Sequence, residues 1–116
     1  MRVIVCGSRR WRDRDMIADR LADLPVESTI VHGAAGGADT IAAQEAEKLG
    51  LLLDPHPAEW ELYGKRAGYL RNRKMAELGA DLVIAFWDGR SRGTMHMVDL
   101  AEEYGIPFEL ITGGME

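Results

Sequence analysis

The sequence has one cysteine, four prolines and no long apolar run. One thiol cannot form an intramolecular disulfide, so we expect a protein of the reducing cytoplasm. The apolar run Leu82–Trp87 spans six residues, whereas a membrane-spanning helix needs roughly 20. We therefore expect no membrane as a partner. A secretory signal peptide is not expected either, because the apolar stretch after Arg2 ends at Gly7.

Positive charge is also scarce. The chain has 14 Lys and Arg residues against 19 Asp and Glu residues, which gives a formal net charge of −5. Long nucleic acids select basic surfaces, so this balance disfavours them as partners. The cations are nevertheless clustered, because 12 of the 14 lie in the segments 9–20, 65–74 and 90–92. Whether these cations form a binding surface depends on where the three segments lie in the fold.

The remaining composition is that of a globular protein, with 47% apolar and 28% charged residues. A chain of 116 residues can bury one core, so we predict a single domain over residues 1–116. Short apolar runs alternate with helix-like stretches along the sequence. The predicted strands are 3–6, 28–32, 51–53, 82–86 and 107–111, and the predicted helices are 13–24, 38–49, 68–78 and 94–104. Residues 113–116 are expected to fray.

This alternation predicts an α/β fold, a doubly wound parallel sheet of about five strands with helices on both faces. Strands that are apolar throughout are expected to be buried on both sides, while the prolines after residue 53 favour an extended edge or a loop for the third strand. Ligands of such sheets bind beyond the carboxyl ends of the strands, near the point where the strand order reverses. The sequence therefore predicts a site at that edge.

Three loops at the predicted edge run directly into helices: 7–11, 33–39 and 88–94. Glycines in these loops let backbone amides approach a ligand, and a helix N-terminus adds unpaired N–H donors, which suits phosphate. Arginines in the first and third loops favour the same ligand. Alternatively, tight turns with helix caps at Ser8, Asp39 and Thr94 would explain these loops without a bound ligand.

Two common phosphate-binding motifs are absent. No Gly-Lys-Ser or Gly-Lys-Thr triplet occurs, which argues against a P-loop, and Gly7 is not followed by the further glycines of a GxGxxG fingerprint. Cys6 lies at the end of a predicted buried strand and is expected to be an inert thiol. We predict neither a metal site nor a cofactor.

Several short motifs follow one another along nearly the whole chain. They are Gly7-Ser8-Arg9-Arg10-Trp11, His32 to Asp39, Trp60 with Gly64-Lys65, Ala67-Gly68, Arg71 to Met75, Asp81 to Phe86, and Gly93-Thr94. In this order they resemble the YspA-like, cpYpsA-related family of the SLOG superfamily. The resemblance implies a Rossmann-like domain that binds nucleotides or nucleotide-derived ligands. It also implies pairing of two copies through helices, and hence a homodimer.

One departure from the superfamily concerns catalysis. The phosphoribohydrolases that the chain resembles carry a Pro-Gly-Gly-x-Gly-Thr-x-x-Glu segment whose Glu serves glycosidic cleavage. Met97 occupies the position of that Glu, and a thioether cannot exchange a proton or stabilise an oxocarbenium-like centre. If the chain is an enzyme, it is a nucleotide-processing hydrolase, and the remaining candidates for a catalytic group are Asp88, Glu59 and His32.

The candidate ligand-binding residues come from the three loops and the start of the helix near residue 70. They are Gly7, Ser8, Arg9, Arg10, Trp11, Gly33, Gly36, Gly37, Asp39, Arg71, Asn72, Arg90, Ser91, Arg92, Gly93 and Thr94. For Trp11 two interpretations stay open, stacking on a base or packing the first helix onto the sheet.

Three functions follow from these observations. The first is binding of a nucleotide or nucleotide-derived phosphorylated small molecule, to sense, carry or sequester it. The second is hydrolysis of an N-glycosidic or phosphoester bond in such a ligand. The third is a module that binds single-stranded nucleic acid, implied by a DNA-processing relative in the superfamily and disfavoured by the net charge of −5.

Overall fold

The structure, a computed structural model of the chain, describes residues 1–113. The predicted fraying of residues 113–116 falls, apart from Gly113, on residues outside this range. The elements are β1 (Arg2–Gly7), α1 (Arg14–Ala22), β2 (Thr29–His32), α2 (Ala38–Lys48), β3 (Leu52–Pro55), α3 (Trp60–Tyr63), a 3₁₀ turn (Gly64–Arg66), α4 (Ala67–Leu78), β4 (Leu82–Trp87), α5 (Arg92–Glu103) and β5 (Phe108–Thr112).

The five strands form one sheet in the order β3-β2-β1-β4-β5, and every neighbouring pair is parallel. Between β1 and β4 the register pairs Val3 with Leu82 and Gly7 with Phe86. The chain builds from β1 to one side through β2 and β3, then places β4 and β5 on the other side. The strand order therefore reverses between β1 and β4, which confirms the predicted doubly wound, Rossmann-like sheet.

Helices cover both faces of the sheet, as predicted. Helices α1 and α2 pack on one face, where Trp11 and Phe86 belong to the buried core. Helices α4 and α5 pack on the other face, where Met75 and Met97 are buried. Ile4 of β1 lies in the second layer while its two sequence neighbours lie in the first, because side chains alternate along a strand. A strand buried on both sides is therefore apolar throughout.

The two edge strands depart from the expectation of double burial. Leu52 and Leu53 in β3, and Phe108 and Leu110 in β5, are each more than a third exposed. The buried core takes most of its strand residues from β1, β2 and β4, so each edge strand is only partly covered. Pro55 ends β3, which is an edge strand and, among the described residues, pairs with β2 alone. Proline is tolerated there because the N–H that it lacks is not needed for a hydrogen bond to another strand. Of the two alternatives predicted for the third strand, the edge position is confirmed.

All three expected helix caps, Ser8, Asp39 and Thr94, are wrong; the N-cap of α2 is Gly37 instead of Asp39. The N-cap of α1 is Asp13, whose carboxylate accepts from the Met16 N–H over 3.2 Å, so Ser8 caps no helix. The N-cap of α5 is Ser91 instead of Thr94, and the Ser91 Oγ accepts from the Thr94 N–H over 3.3 Å. The helix therefore begins two residues earlier than predicted.

The short helix α3 and the 3₁₀ turn after it were not expected. They connect the proline-containing end of β3 to α4, and every side chain of α3 is exposed. An element without a buried face leaves no apolar periodicity in the sequence from which it could be predicted. Within residues 1–113, no helix is both long and apolar enough to span a bilayer.

Candidate functional site

A cavity with a volume of about 570 Å³ opens where β1 and β4 end. We call it the β1/β4 cavity. The loops after these two strands form two of its walls, and α4 with the segment before it forms a third. Its cationic side chains outnumber its carboxylates by five to two: Arg9, Arg10, Lys65, Arg71 and Arg90 against Asp39 and Asp88. An excess of positive charge therefore lies in one concave surface of an acidic protein.

Most of the predicted ligand-binding residues line this cavity. They are Gly7, Ser8, Arg9, Arg10, Asp39, Arg71, Asn72, Arg90, Ser91, Gly93 and Thr94, together with the catalytic candidate Asp88. The structure thus brings together segments that are up to 87 residues apart in the sequence (7 to 94). The predicted residues that do not line it are Trp11, Gly33, Gly36, Gly37 and Arg92, together with the catalytic candidates Glu59 and His32.

The loops after β1 and β4 are joined by one carboxylate. Oδ1 of Asp88 accepts from the N–H groups of Arg90 and Ser91, each over 2.8 Å, and its Oδ2 accepts from the Ser8 hydroxyl over 2.8 Å. These donors lower the pKa of Asp88, the Arg90 N–H most of all. The Ser8 Oγ in turn accepts from the Arg10 N–H over 3.1 Å. Asp88 is therefore an ionised structural link between the two loops.

This link changes which amides could bind phosphate. The N–H groups of Arg90 and Ser91 are directed at Asp88, and the N–H of Thr94 at Ser91. The N–H groups of Arg92 and Gly93, the first two residues of α5, have no acceptor among residues 1–113. These two donors, at the positive end of the helix dipole, are the ones that an anion could accept from.

Trp11 lies in the core and not at the cavity. Its side chain is 1% exposed, and its ring packs edge-on against Phe86 with 5.3 Å between the ring centroids. The indole N–H donates to the Asp13 carbonyl over 2.9 Å, so the polar atom is also satisfied internally. Stacking on a ligand would need an accessible ring face, which leaves packing of the first helix onto the sheet as the role of Trp11.

Gly33 and Gly37 serve packing beneath the cavity. A Cβ on Gly33 would overlap the guanidinium of Arg71, and a Cβ on Gly37 would overlap the carbonyl oxygens of residues 8–9. Gly37 also has a φ of +67°, which L-residues rarely adopt. A Cβ on Gly36, in contrast, would meet no atom within 4 Å. Gly33 and Gly37 therefore allow the loop after β2 to pack closely against its neighbours without lining the cavity themselves.

Arg71 and Asn72 connect α4 to its surroundings. The Nη1 of Arg71 donates to the carbonyl oxygen of Gly33 and, over 3.5 Å, to that of His56, while its Nε donates to Oδ1 of Asn72 over 2.8 Å. The Nδ2 of Asn72 donates to the carbonyl oxygen of Gly93 over 3.3 Å. The guanidinium of Arg71 is thereby held in one position, and α4 is tied to the start of α5.

Asp39 is buried, with 4% of its surface exposed. It lies in the first turn of α2, whose N-cap is Gly37, so the expected cap role of Asp39 is wrong. Its Oδ2 instead accepts from the N–H groups of Gly33 over 2.9 Å and Ala35 over 3.4 Å. Burial raises the pKa of Asp39 to about 6, against the opposing effects of these two N–H groups and of the positive charge on Arg71.

Sequence reasoning missed two aromatic residues of the cavity. Trp60 is 49% exposed, and the Arg9 Cζ lies 5.9 Å from its ring centroid, a cation–π arrangement. Tyr69 is 47% exposed and packs edge-on against His96, with 4.7 Å between ring centroids. Trp60 could have been included, because it belongs to the motifs that carry the family resemblance. The other lining residues that were not predicted are Cys6, Ala35, Lys65, Gly68 and Met75.

The candidate catalytic groups are poorly placed for proton transfer in this cavity. Glu59 is exposed and lines a different cavity. His32 is buried, its Nδ1 accepts from the Ala34 N–H over 3.0 Å, and burial lowers its pKa. Met97, at the position of the phosphoribohydrolase Glu, lies fully buried in the core. Cys6 is also held inert, because burial raises the pKa of its thiol.

The chain is similar in sequence to one curated protein and in fold to two solved structures. The Gene 61 protein of Mycobacterium phage D29 is 44% identical over 115 residues, which cover 91% of this chain and 92% of that protein. Two crystal structures of the C-terminal domain of PF1911 hydrogenase from Pyrococcus furiosus are similar in fold, with a TM-score of 0.55. They are 17% and 16% identical and cover 95% and 94% of this chain and 89% of each of theirs, so the likeness extends to the fold alone.

A family match covers β1, β2 and β3, the loop that carries Arg9, and helix α2 with Asp39. Residues 1–63, just over half of the chain, match the family described as YspA, cpYpsA-related SLOG family. This agrees with the resemblance seen in the motifs of the sequence. The chain belongs to the YspA, cpYpsA-related SLOG family.

Proposed function

We propose that the protein binds a nucleotide or nucleotide-derived phosphorylated small molecule in the β1/β4 cavity, to sense, carry or sequester it. Membership of the SLOG family indicates nucleotide-related ligands in general. The observation that carries the proposal is the composition of the cavity wall, in which five cationic side chains and two half-exposed aromatic rings surround a helix N-terminus.

The phosphate end of the ligand is assigned to the loops after β1 and β4. Within the described part of the chain, no carboxylate lies within 4 Å of the charged groups of Arg9, Arg10 or Arg90. Arginine forks suit phosphate oxygens, and the N–H of Gly93, which lines the cavity, is free to donate beside them. An anion held there would neutralise charges that have no partner within the protein.

The base end of the ligand is assigned to Trp60 and Tyr69. Both rings are about half exposed and line the same cavity as the arginines. A ring face that is exposed in the free protein gains buried area and stacking when a planar base covers it. Every nucleobase has a π-face, so Trp60 and Tyr69 would accept a nucleotide-like ligand whatever its base.

Binding without cleavage is favoured over hydrolysis. Both oxygens of Asp88 are occupied by N–H and O–H donors, and its pKa is lowered. Asp39 is the cavity carboxyl with a pKa near 6, but two backbone N–H groups hold the same oxygen of this buried residue. An attacking water would need a free, accessible base, and these contacts support neither residue in that role.

A thermal-shift panel tests the proposal. AMP, ADP-ribose, NAD, cyclic nucleotides and nucleoside monophosphates are added to the full chain, and at least one should raise the melting temperature. Arg90→Ala should remove most of the rise. Arg92→Ala is the matched control, because Arg92 is an exposed arginine two residues away whose side chain does not line the cavity. No stabilisation across the panel would contradict the proposal.

The alternatives give different results with the same samples. Chromatography after incubation should recover the stabilising ligand unchanged, and released base or ribose phosphate would instead support hydrolysis. A labelled single-stranded oligonucleotide should bind weakly or not at all, since the cations converge on a cavity instead of a continuous groove. We also propose a homodimer, by family resemblance, and size-exclusion chromatography with light scattering measures its mass.

A further inference from the structure

We propose that a second cavity, between the end of β3 and the outer face of α4, binds a small anion that carries an apolar or aromatic body. This site is separate from the β1/β4 cavity and does not rest on the function proposed above. It has a volume of about 570 Å³. It is lined on one side by the segment that follows Asp54 and on the other by α4 and the residue before it. We call it the β3/α4 cavity.

Its charge points to an anion. Arg66 directly precedes α4, and Leu70 and Lys74 follow it within the helix at intervals of four residues, so the three side chains lie on one face. With Arg71 they bring three cations to the cavity, against the single carboxylate of Glu59. Among residues 1–113, no carboxylate lies within 4 Å of the charged groups of Arg66 or Lys74.

Arg73, a further cation of α4, differs from the cations of the cavity because it has a carboxylate partner. Arg73 lies on the same helix between the cations of the cavity, and its Nη1 forms an ion pair with Glu103 over 2.8 Å. Among residues 1–113, the cation that does not line the cavity is thus paired with a carboxylate, whereas Arg66, Arg71 and Lys74 have no carboxylate within 4 Å. Like charges that converge on one concave surface repel each other, and a bound anion relieves that repulsion.

Arg71 supplies a donor whose position is already fixed. Its Nη1 and Nε are held by the carbonyl oxygens of Gly33 and His56 and by the amide of Asn72. Its Nη2 has no acceptor within the described chain and lies near Gly68, on the side that faces the β1/β4 cavity. A guanidinium held in this way loses little side-chain freedom when it binds a ligand. Arg71 lines both cavities, so it forms the wall between them.

The rest of the wall requires an apolar body on the anion. Pro55, Pro57, Ala67 and Leu70 present carbon atoms to the cavity, and Tyr63 adds an aromatic ring that is 49% exposed. A free inorganic ion would leave these surfaces in water, whereas a ring bearing a phosphate or carboxylate would cover them. The ligand class is therefore an aryl or similarly apolar phosphate or carboxylate.

Residue-resolved NMR titration of the full chain with phenyl phosphate tests the proposal. Backbone amides of residues 63, 66, 70 and 74 should shift and saturate at millimolar phenyl phosphate. Lys74→Ala should weaken this binding by roughly five-fold, the effect of about 1 kcal/mol for a partly exposed charge pair. Lys65→Ala is the matched lysine variant, because Lys65 lines only the β1/β4 cavity. The affinity measured from the amides of residues 63, 66, 70 and 74 should be the same in this variant as in the wild type.

Three results would overturn the proposal: no shift of the amides at 63, 66, 70 and 74, an unchanged affinity in Lys74→Ala, or equal affinity for the neutral probe benzyl alcohol. Arg73→Ala guards against a general effect of lost charge on α4, and it should bind phenyl phosphate as the wild type does. Shifts confined to residues 7–10 and 88–94 would overturn this second site while leaving the function proposed for the β1/β4 cavity intact.

Discussion

The hydroxyl of Ser8 donates to the carboxylate of Asp88 over 2.8 Å, across 80 residues of sequence. Ser8 is 1% exposed and follows β1, whereas Asp88 follows β4. The bond joins the loops that follow β1 and β4, the two strands between which the strand order reverses. Together with the Ser8 N–H, which donates to the Phe86 carbonyl over 2.9 Å, it positions the loop that carries Arg9 and Arg10 against the end of β4.

Ser8→Ala should lower the free energy of unfolding by about 1 kcal/mol, because it removes a buried hydrogen bond and leaves the Arg10 N–H without its acceptor. It should also weaken binding of any ligand found in the thermal-shift panel. Ser28→Ala is the matched control, since the buried Ser28 hydroxyl donates to the Pro25 carbonyl over 2.6 Å, away from the cavity. Urea denaturation and ligand titration of both variants measure the effects, and equal loss of affinity in both would contradict this role of Ser8.

Two adjacent glycines should respond very differently to the same change. Gly37→Ala should destabilise the fold by more than about 2 kcal/mol, because φ is +67° and the new Cβ would overlap backbone carbonyl oxygens of residues 8–9. Gly36→Ala should change the free energy of unfolding by less than about 1 kcal/mol, since its Cβ would meet no atom within 4 Å. Urea unfolding curves compare the variants, and similar midpoints would refute the packing assigned to Gly37.

The raised pKa of Asp39 predicts a pH-dependent cost. Burial raises this pKa from 3.8 to about 6, so the native state binds the proton more tightly than the unfolded state. Asp39 therefore destabilises the fold progressively as the pH rises from about 4 to 6, and the cost then stays constant. The free energy of unfolding of Asp39→Asn relative to wild type should increase over this range by up to about 3 kcal/mol.

Urea titrations at several pH values measure that difference. Glu45→Gln on the same helix provides a control of opposite sign. Hydrogen bonds from Lys48 and Arg14 lower the pKa of Glu45, so its stabilising contribution is present above the unfolded pKa and is lost as the pH falls through the folded value. Parallel pH profiles for Asp39→Asn and wild type would show that Asp39 titrates normally.

Ligand binding should change the fluorescence of one tryptophan in particular. Trp60 is half exposed in the β1/β4 cavity, whereas Trp11 is 1% exposed in the core. A base that covers the Trp60 ring should quench its emission, and Trp60→Phe should remove most of that quenching while the melting temperature of the free protein stays nearly unchanged. A ligand that stabilises the protein but quenches Trp60→Phe as strongly as wild type would place the base elsewhere.

The fold could be predicted from the sequence because its central strands are apolar on both sides. A strand such as 82–86 has no polar residue, and only a sheet covered on both faces buries such a run. The edge strands were less predictable, since a short apolar run looks the same whether a helix covers it or not. Helix α3 gave no signal at all, because all of its side chains are exposed.

The candidate site was predicted at the level of loops and less well at the level of side chains. Strand order requires the loops after β1 and β4 to meet, which is why Arg9 and Arg90 line one cavity. The sequence does not contain the direction in which a side chain at a loop–helix junction points. The packing of Trp11 on Phe86 and the position of Arg92 outside the cavity lining therefore follow from the tertiary structure and not from the sequence.

The absence of any buried residue in α3 has a consequence for how a ligand would enter the cavity. Segments with little buried apolar surface open at low free energy, well below that of global unfolding. Arg9, Arg10 and Arg90 lie in the loops directly after β1 and β4, whereas the wall that carries Trp60 includes α3, which contacts α4 and the 3₁₀ turn. A ligand that orders this wall on binding therefore loses affinity to the entropy cost of ordering it. We expect fast amide hydrogen exchange over residues 58–66 in the free protein and slower exchange when the cavity is filled.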